Sequence, residues 1–236
     1  MDSFLGEQRL LVIAPHADDE TIGCGGLIAK VKDQGGEVFV QVATVSDLEH
    51  YDGRDGVTYA HTRTEELAEA MRVLEVDDHE IIFDDTKWHL RLDAMPRREL
   101  VAALEKGSRL SIDRLKPTMI ALPGPSFNQD HVAVYEAGIT ACRPHLAALK
   151  PFQRFVLVAD SPQLAWSPEP FQPNLYVDIT GAYLDRKLEA FSKHESQQRP
   201  APSMGGIDAL RILALHRGHE ISVGAAEAYR ALRLVL

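Results

Sequence analysis

Short, dense apolar runs alternate along the chain with longer segments whose apolar residues recur at helical spacing. Leu10-Leu11-Val12-Ile13-Ala14 is apolar throughout, and Pro15 ends it. Such a run reads as a strand buried on both faces. From Thr21 to Gln34 the spacing is helical, and Gly35-Gly36 closes the helix. A second strand is predicted from Glu37 to Thr44, then a polar, glycine-dotted loop from Ser46 to about Tyr59. The next helix runs from about His61 to Leu74 on a stripe of Leu67, Ala70, Met71 and Leu74. Glu80-Ile81-Ile82-Phe83 is a third strand, and Pro96 to Leu110 a further helix with proline near its first turn. Met119-Ile120-Ala121-Leu122 forms a fourth strand, broken by Pro123-Gly124-Pro125. A helix from about Asp130 to Leu149 leads to the strand Phe155-Val156-Leu157-Val158. The proline-rich stretch from Ser161 to Pro173 reads as irregular, Leu175 to Asp178 as a last short strand, and the remainder as helical to the C-terminus.

Strands that alternate with helices, through crossovers of about a dozen residues or more, imply a mostly parallel sheet covered on both sides. The expected class is therefore α/β, a Rossmann-like three-layer sandwich. The 236 residues, 45% hydrophobic, suit one large domain spanning 1–236.

Charge and cysteine content narrow the setting. A formal net charge of −10, from 25 Lys plus Arg against 35 Asp plus Glu, lacks the basic surplus of a nucleic-acid binder. No run of about eighteen apolar residues is present to span a membrane. The first seven residues show neither the basic region nor the apolar run of a secretion signal. Two cysteines, Cys24 and Cys142, are too few for a disulfide framework and form no Cys-x-x-Cys pair. A cytoplasmic protein with a small-molecule partner is expected; the oligomeric state, a homo-oligomer included, is left open.

In parallel sheets ligands bind beyond the carboxyl ends of strands. Two such ends carry unusual residues: Pro15-His16-Ala17-Asp18-Asp19-Glu20 after the first strand, and Ser126-Phe127-Asn128-Gln129-Asp130-His131 after the fourth. Imidazole nitrogen and carboxylate oxygen suit a borderline divalent ion, and a catalytic site takes three protein ligands with one position left for water. His16 and Asp19, three residues apart on a strand-to-helix turn, can converge on one ion, with His131 as third ligand. Asp18 is then free to take a proton from water. The ordinary alternative is a hydrogen-bonded histidine beside a pair of helix-capping aspartates; spacing alone does not decide. His16-x-Asp18 with His131 also fits the non-haem iron triad, which sits mostly on all-β jelly rolls, unlike this chain.

The stretch from Ala14 to Gly26, Ala-Pro-His-Ala-Asp-Asp-Glu-Thr-Ile-Gly-Cys-Gly-Gly, resembles the N-terminal signature of the LmbE-like family, the PIG-L N-acetylglucosaminylphosphatidylinositol deacetylase relatives. Gln129-Asp130-His131-x-Ala133-Val134 resembles the family's second metal motif. Weaker patterns match at Arg63-x-x-Glu66-x-x-x-Ala70-x-x-x-Leu74, at Lys187-x-x-Ala190-x-x-x-His194-x-Ser196-Gln197, and at Arg217-Gly218 with Ala226-Glu227-Ala228-Tyr229-Arg230. The resemblance implies one zinc ion per chain on His16, Asp19 and His131, with Asp18 as general base and Arg63 against the polar substrate. It implies removal of an N-acyl group, in the first instance acetyl, from an amino sugar; an amidase acting on a thiol-sugar conjugate or a natural-product intermediate is the alternative. His194, in a family-like segment, is a candidate substrate contact.

One position departs from the family pattern. Many relatives begin the second motif with a histidine that polarises the amide oxygen and protonates the leaving amine, and here that position is Asn128. An amide can donate a hydrogen bond to an oxyanion but delivers no proton. The departure opens a further reading, a non-catalytic zinc-containing member. Glu20 reads as a support or helix-start charge, Gly25 and Gly26 as sites of close helix packing, and Cys24 as packing within the helix. His50, His61, His79, His89, His145, His216 and His219 lack ligand spacing and read as surface or structural. Trp88 and Trp166 are candidates to line a sugar site, although aromatic core anchors are commoner.

Overall fold

The computed structural model describes residues 4–49 and 56–236. One seven-stranded sheet runs in the order β5-β2-β1-β6-β7-β9-β8. Its strands are β1 (Arg9–Ala14), β2 (Glu37–Thr44), β5 (Asp78–Phe83), β6 (Met119–Leu122), β7 (Phe155–Ala159), β8 (Leu175–Asp178) and β9 (Ala226–Leu234). The first five pair in parallel, and β9 runs against both β7 and β8. A two-stranded ladder, β3 (Leu48–Glu49) with β4 (Val57–Thr58), stands apart from the sheet.

The apolar first strand is buried on both faces because two cores meet on it. Leu10, Val12 and Ala14 enter a core shared with Leu27 and Ile28 of α1 (Asp19–Asp33) and with Leu67 and Met71 of α2 (Ala60–Val73). Leu11 and Ile13 enter another, with Leu100 of α3 (Arg97–Ala102), Ile112 of α4 (Ile112–Leu115), and Val134 and Ala137 of α5 (Gln129–Ala141). Alternation of side chains along the strand thus builds the three layers. A third core joins α6 (Ala182–Ser192) to α7 (Ile207–Glu220) through Leu188, Phe191, Leu210 and Ala214. Among the described residues no helix is long and apolar enough to cross a membrane.

The architecture matches the expected α/β class with a mostly parallel sheet, and three local expectations are corrected. The helix expected to Leu110 stops its regular α-turns at Ala102, passes through a π-helical turn at Ala103–Gly107, and resumes as α4. The helix expected to Leu149 ends at Ala141, three residues before Pro144, which cannot continue a helical hydrogen-bond ladder. The C-terminus is not helical throughout: α7 is followed by β9, whose Ala-Glu-Ala-Tyr-Arg-Ala-Leu-Arg-Leu sequence favours helix locally. Pairing on both sides, with Ala226, Ala228 and Tyr229 buried, overrides that propensity.

β9 also braces α1, whose glycines admit close neighbours from α6 and the segment after β8. Lys187 Nζ lies 2.5 Å from Glu227 Oε1 and donates to the Ile22 carbonyl at 2.7 Å. Glu227 accepts the backbone N–H groups of Gly26 (2.8 Å) and Leu27 (2.7 Å), and Tyr229 Oη donates to Glu227 at 2.7 Å. Side chains thereby enter the middle of the α1 ladder at close range. A Cβ on Gly26 would lie 2.5 Å from Ile179 Cγ2, and one on Gly25 2.9 Å from Lys187 Cγ. With both partners almost fully buried, Glu227→Ala leaves Lys187 uncompensated and is expected to cost about 3–5 kcal/mol. Urea unfolding of the variant against the parent measures this.

Candidate metal centre and cleft

The chain returns to β1 from two directions: β2 and β5 lie on one side, β6 and β7 on the other. The crevice between the carboxyl ends of β1 and β6 is the switch point where open α/β sheets bind ligands. β1 delivers Pro15 to Asp18 and then the first turn of α1; β6 delivers the loop to Asn128 and the first turn of α5. Two helix N-termini, with Asp19 and Asp130 in their first turns, therefore face one point.

His16, Asp19 and His131 meet there, each offering one ligand atom within 4.8 Å of the others. Asp19 Oδ2 lies 3.4 Å from His16 Nδ1 and 3.1 Å from His131 Nε2. Two imidazole nitrogens and one carboxylate oxygen form a donor set suited to a divalent ion. Behind it, His16 Nε2 lies 3.0 Å from Asp130 Oδ2. Asp130 is fully buried and accepts the backbone N–H groups of Leu90 and Leu92, each at 2.8 Å. This carboxylate holds Nε2 and so turns Nδ1 toward the centre, where a bound metal would take the place of its proton. Burial alone would lower the His16 pKa, but hydrogen bonds to Asp130 and Asp19 carry it up to about 9. Asp19 is held well below the ordinary carboxylate range: burial would raise it, and the flanking His131 and His16 outweigh that.

Asp18 occupies a strained backbone position, φ 134°, ahead of α1. Its N–H donates to Glu20 Oε2 at 3.0 Å. Glu20, fully buried, also accepts from Thr21 Oγ1 (2.8 Å) and pairs with His194 Nε2 (3.0 Å). The Asp18 carboxyl is pushed up to about 7, first by burial and then by the negative charge of Asp19, against the pull of His194 and Arg63.

His16, Asp18, Asp19 and His131 line a cavity of about 230 Å³ together with Arg63, His89, Asn128 and Arg199. Arg63 is 3% exposed, and its Nη1 donates to the Ser46 carbonyl and lies 3.0 Å from His89 Nε2. Arg63 can only donate, so His89 Nε2 accepts, and the His89 proton sits on Nδ1, 2.7 Å from Thr44 Oγ1. Burial first, then the His16 and Arg63 charges, lower His89 to about 3 and keep it neutral. Asn128 caps α5 by accepting the Asp130 N–H at 2.9 Å, which leaves its amide nitrogen as the donor end.

Of the residues singled out in the sequence, His16, Asp18, Asp19, Arg63, Asn128 and His131 line this one cavity. His194 does not: it is fully buried behind the Asp18 turn, on Glu20. The weak motifs at Arg63 and His194 are joined by Glu66, which accepts the Ser196 N–H and hydroxyl at 2.8 and 2.6 Å. Neither tryptophan reaches the cavity; Trp88 packs against the α3–α5 core, and Trp166 is 75% exposed. Cys24 is buried in the core beneath α1, and burial pushes its thiol up. Asp130 and His89 received no role from the sequence. Asp130 stood inside a quoted motif, while His89 comes from the irregular segment after β5, and nothing in its spacing marked it. His50 lies outside the described residues.

A seven-stranded α/β sheet with a His–Asp–His group at its switch point defines a class of site, and the chain is similar to known proteins over most of its length. Residues 11–142 match the PIG-L family, described as GlcNAc-PI de-N-acetylase. Diacetylchitobiose deacetylase of Thermococcus kodakarensis is 31% identical over 206 residues, covering 83% of this chain and 72% of that protein. YaiS of Escherichia coli, named an uncharacterized deacetylase, is 28% identical over 192 residues, 79% of this chain and 90% of its own length. The crystal structure of the conserved protein TT1542 from Thermus thermophilus superposes with a TM-score of 0.74 at 26% identity, over 97% of this chain and 96% of that one. The chain belongs to the PIG-L family of deacetylases.

Asp130 gives the centre a direct test. Asp130→Ala removes the group that orients His16 and is expected to weaken divalent-metal affinity about 10- to 100-fold, measured by competition with a chromogenic chelator.

Proposed function

We propose that the protein is a zinc-dependent N-deacetylase that releases acetate from an N-acetylated amino sugar or a related small conjugate. The observation that carries this reading is the Asp18 carboxyl lining the same cavity as three convergent ligand atoms. The names of the relatives support the acyl group and the sugar class. His16, Asp19 and His131 would hold one zinc ion, which when bound supplies Lewis-acid activation of water and of the amide carbonyl.

The protein's own groups do the rest. Asp18 accepts a proton from the attacking water as its oxygen bonds to the acyl carbon. The Asn128 amide nitrogen donates to the oxyanion that develops on the former carbonyl oxygen. As the C–N bond breaks, Asp18 returns the proton to the amine nitrogen, leaving acetate and a free amine. Arg63 binds hydroxyl or other acceptor oxygens on the amine-bearing part. His194 acts through Glu20, which holds the Asp18 turn. Two free, buried cysteines suit the cytoplasm as the setting.

Asp18→Asn is expected to lower kcat on diacetylchitobiose by about 100-fold or more while metal content stays at one per chain. Full activity in a metal-replete variant would overturn the assignment. The pH dependence follows from the sign of the Asp18 requirement. The active form is the carboxylate, so kcat/KM falls about tenfold per unit on the acid side. Burial and Asp19 push the Asp18 carboxyl up to about 7 and a bound cation favours the carboxylate, which sets this limb at or below about pH 7. A pH–rate profile from 4 to 9 at about saturating metal checks it.

A further inference from the structure

His89 lies on one wall of the cavity yet has no free nitrogen. Nε2 accepts from Arg63 Nη1 at 3.0 Å, and Nδ1–H donates to Thr44 Oγ1 at 2.7 Å. It joins the end of β2, the first turn of α2 and the metal centre, for its ring also meets that of His16 edge-on, centroids 5.1 Å apart at 76°. With both nitrogens engaged and its one N–H spent on Thr44, it is not a hidden acid for the leaving amine. Its effect falls on Arg63 instead.

The two hydrogens of Arg63 Nη1 go to the Ser46 carbonyl and to His89. Arg63 Nε is buried without a partner among the described residues. The guanidinium is thus held by one nitrogen, and its Nε–Nη2 edge is the one the described residues leave unengaged. Two parallel N–H donors along that edge match two neighbouring acceptor oxygens, as on a carboxylate or a vicinal diol. An unspent buried donor is costly unless a ligand completes it.

We infer that His89 is a positioning and specificity-determining residue: it locks Arg63 so that the Nε–Nη2 edge, rather than Nη1, receives paired oxygens on the amine-bearing part of the substrate. This rests on the deacetylase reading for its substrate, but not for its geometry. His89→Phe keeps a ring against His16 and removes the acceptor, whereas His89→Gln keeps an acceptor.

On diacetylchitobiose with metal-replete enzyme, His89→Phe is expected to raise KM roughly tenfold, with kcat within about twofold and metal content unchanged. His89→Gln is expected to recover most of the loss. His89→Phe combined with Arg63→Lys is expected to be no worse than Arg63→Lys alone, because both remove one arrangement. A fall in kcat at constant KM, or effects that multiply in the double variant, overturns the proposal. Nitrogen-resolved NMR of the metal-loaded protein decides the same point without turnover. The expected spectrum shows His89 protonated on Nδ1 and Arg63 Nη hydrogens in slow rotation, which collapse to an average in His89→Phe. An averaged Arg63 signal in the parent protein overturns the role of His89 whatever the activity. Absence of hydrolysis by the parent would instead sink the deacetylase reading and leave the NMR result to stand by itself.

Discussion

Everything at the site depends on β1 and β6 lying side by side in parallel. The pairing of Leu10 with Met119 and Val12 with Ala121 sets both carboxyl ends at one level. The two helices that follow therefore begin within reach of each other, although Asp19 and His131 are 112 residues apart in sequence. A strand buried on both faces cannot slip by one residue without exchanging its two cores. The register of an apolar strand, a packing matter, thereby fixes the distance between an imidazole and a carboxylate.

Charge at that meeting point is managed in layers. Asp19 sits between two imidazoles, Asp130 steadies one of them from behind, and Glu20 with His194 holds the turn that carries Asp18. Among the described residues, none of these carboxylates has a lysine or arginine as its immediate hydrogen-bond partner; they are satisfied chiefly by histidine and by backbone N–H groups. Deeper still, Lys187 and Glu227 brace α1 in mid-helix. A buried charge costs several kcal/mol unless it is paired and hydrogen-bonded, on the order of the stability of a whole domain. The acidic residues of the first motif are thus tolerated because histidines from distant segments arrive to meet them.

The sequence made part of this legible. Strand-end position and residue type picked out His16, Asp19 and His131, and the apolar run of β1 revealed a doubly covered strand. Both are local signals. β9 was missed because its nine residues have helix-favouring composition, and only pairing between β7 and β8 makes them a strand. His89 was missed because an irregular segment delivers it, where neither periodicity nor spacing carries information. Asp130 lay in plain view beside His131, but its task depends on the direction of the His16 ring, which no spacing encodes. His194 shows the converse: a motif-like residue that supports the site from behind, while Gln197 of the same motif reaches its wall.

Asn128 sharpens what the cleft must do if it cleaves amides. The position offers no proton, and its side-chain oxygen is already spent on capping α5. His89 is neutral with both nitrogens engaged, and an arginine is too basic to act as an acid. His16, Asp19 and His131 are taken once they hold a metal. Of the cavity's titratable groups, Asp18 alone is then left to remove a proton from water and to return it to the amine. A single carboxylate can serve both steps only if its position stays fixed between them. The strained backbone at Asp18, held by Glu20 through the Asp18 N–H, supplies that fixity. In this reading the loss of a histidine in one motif is met by rigidity in the other, and the buried Glu20–His194 pair is the means.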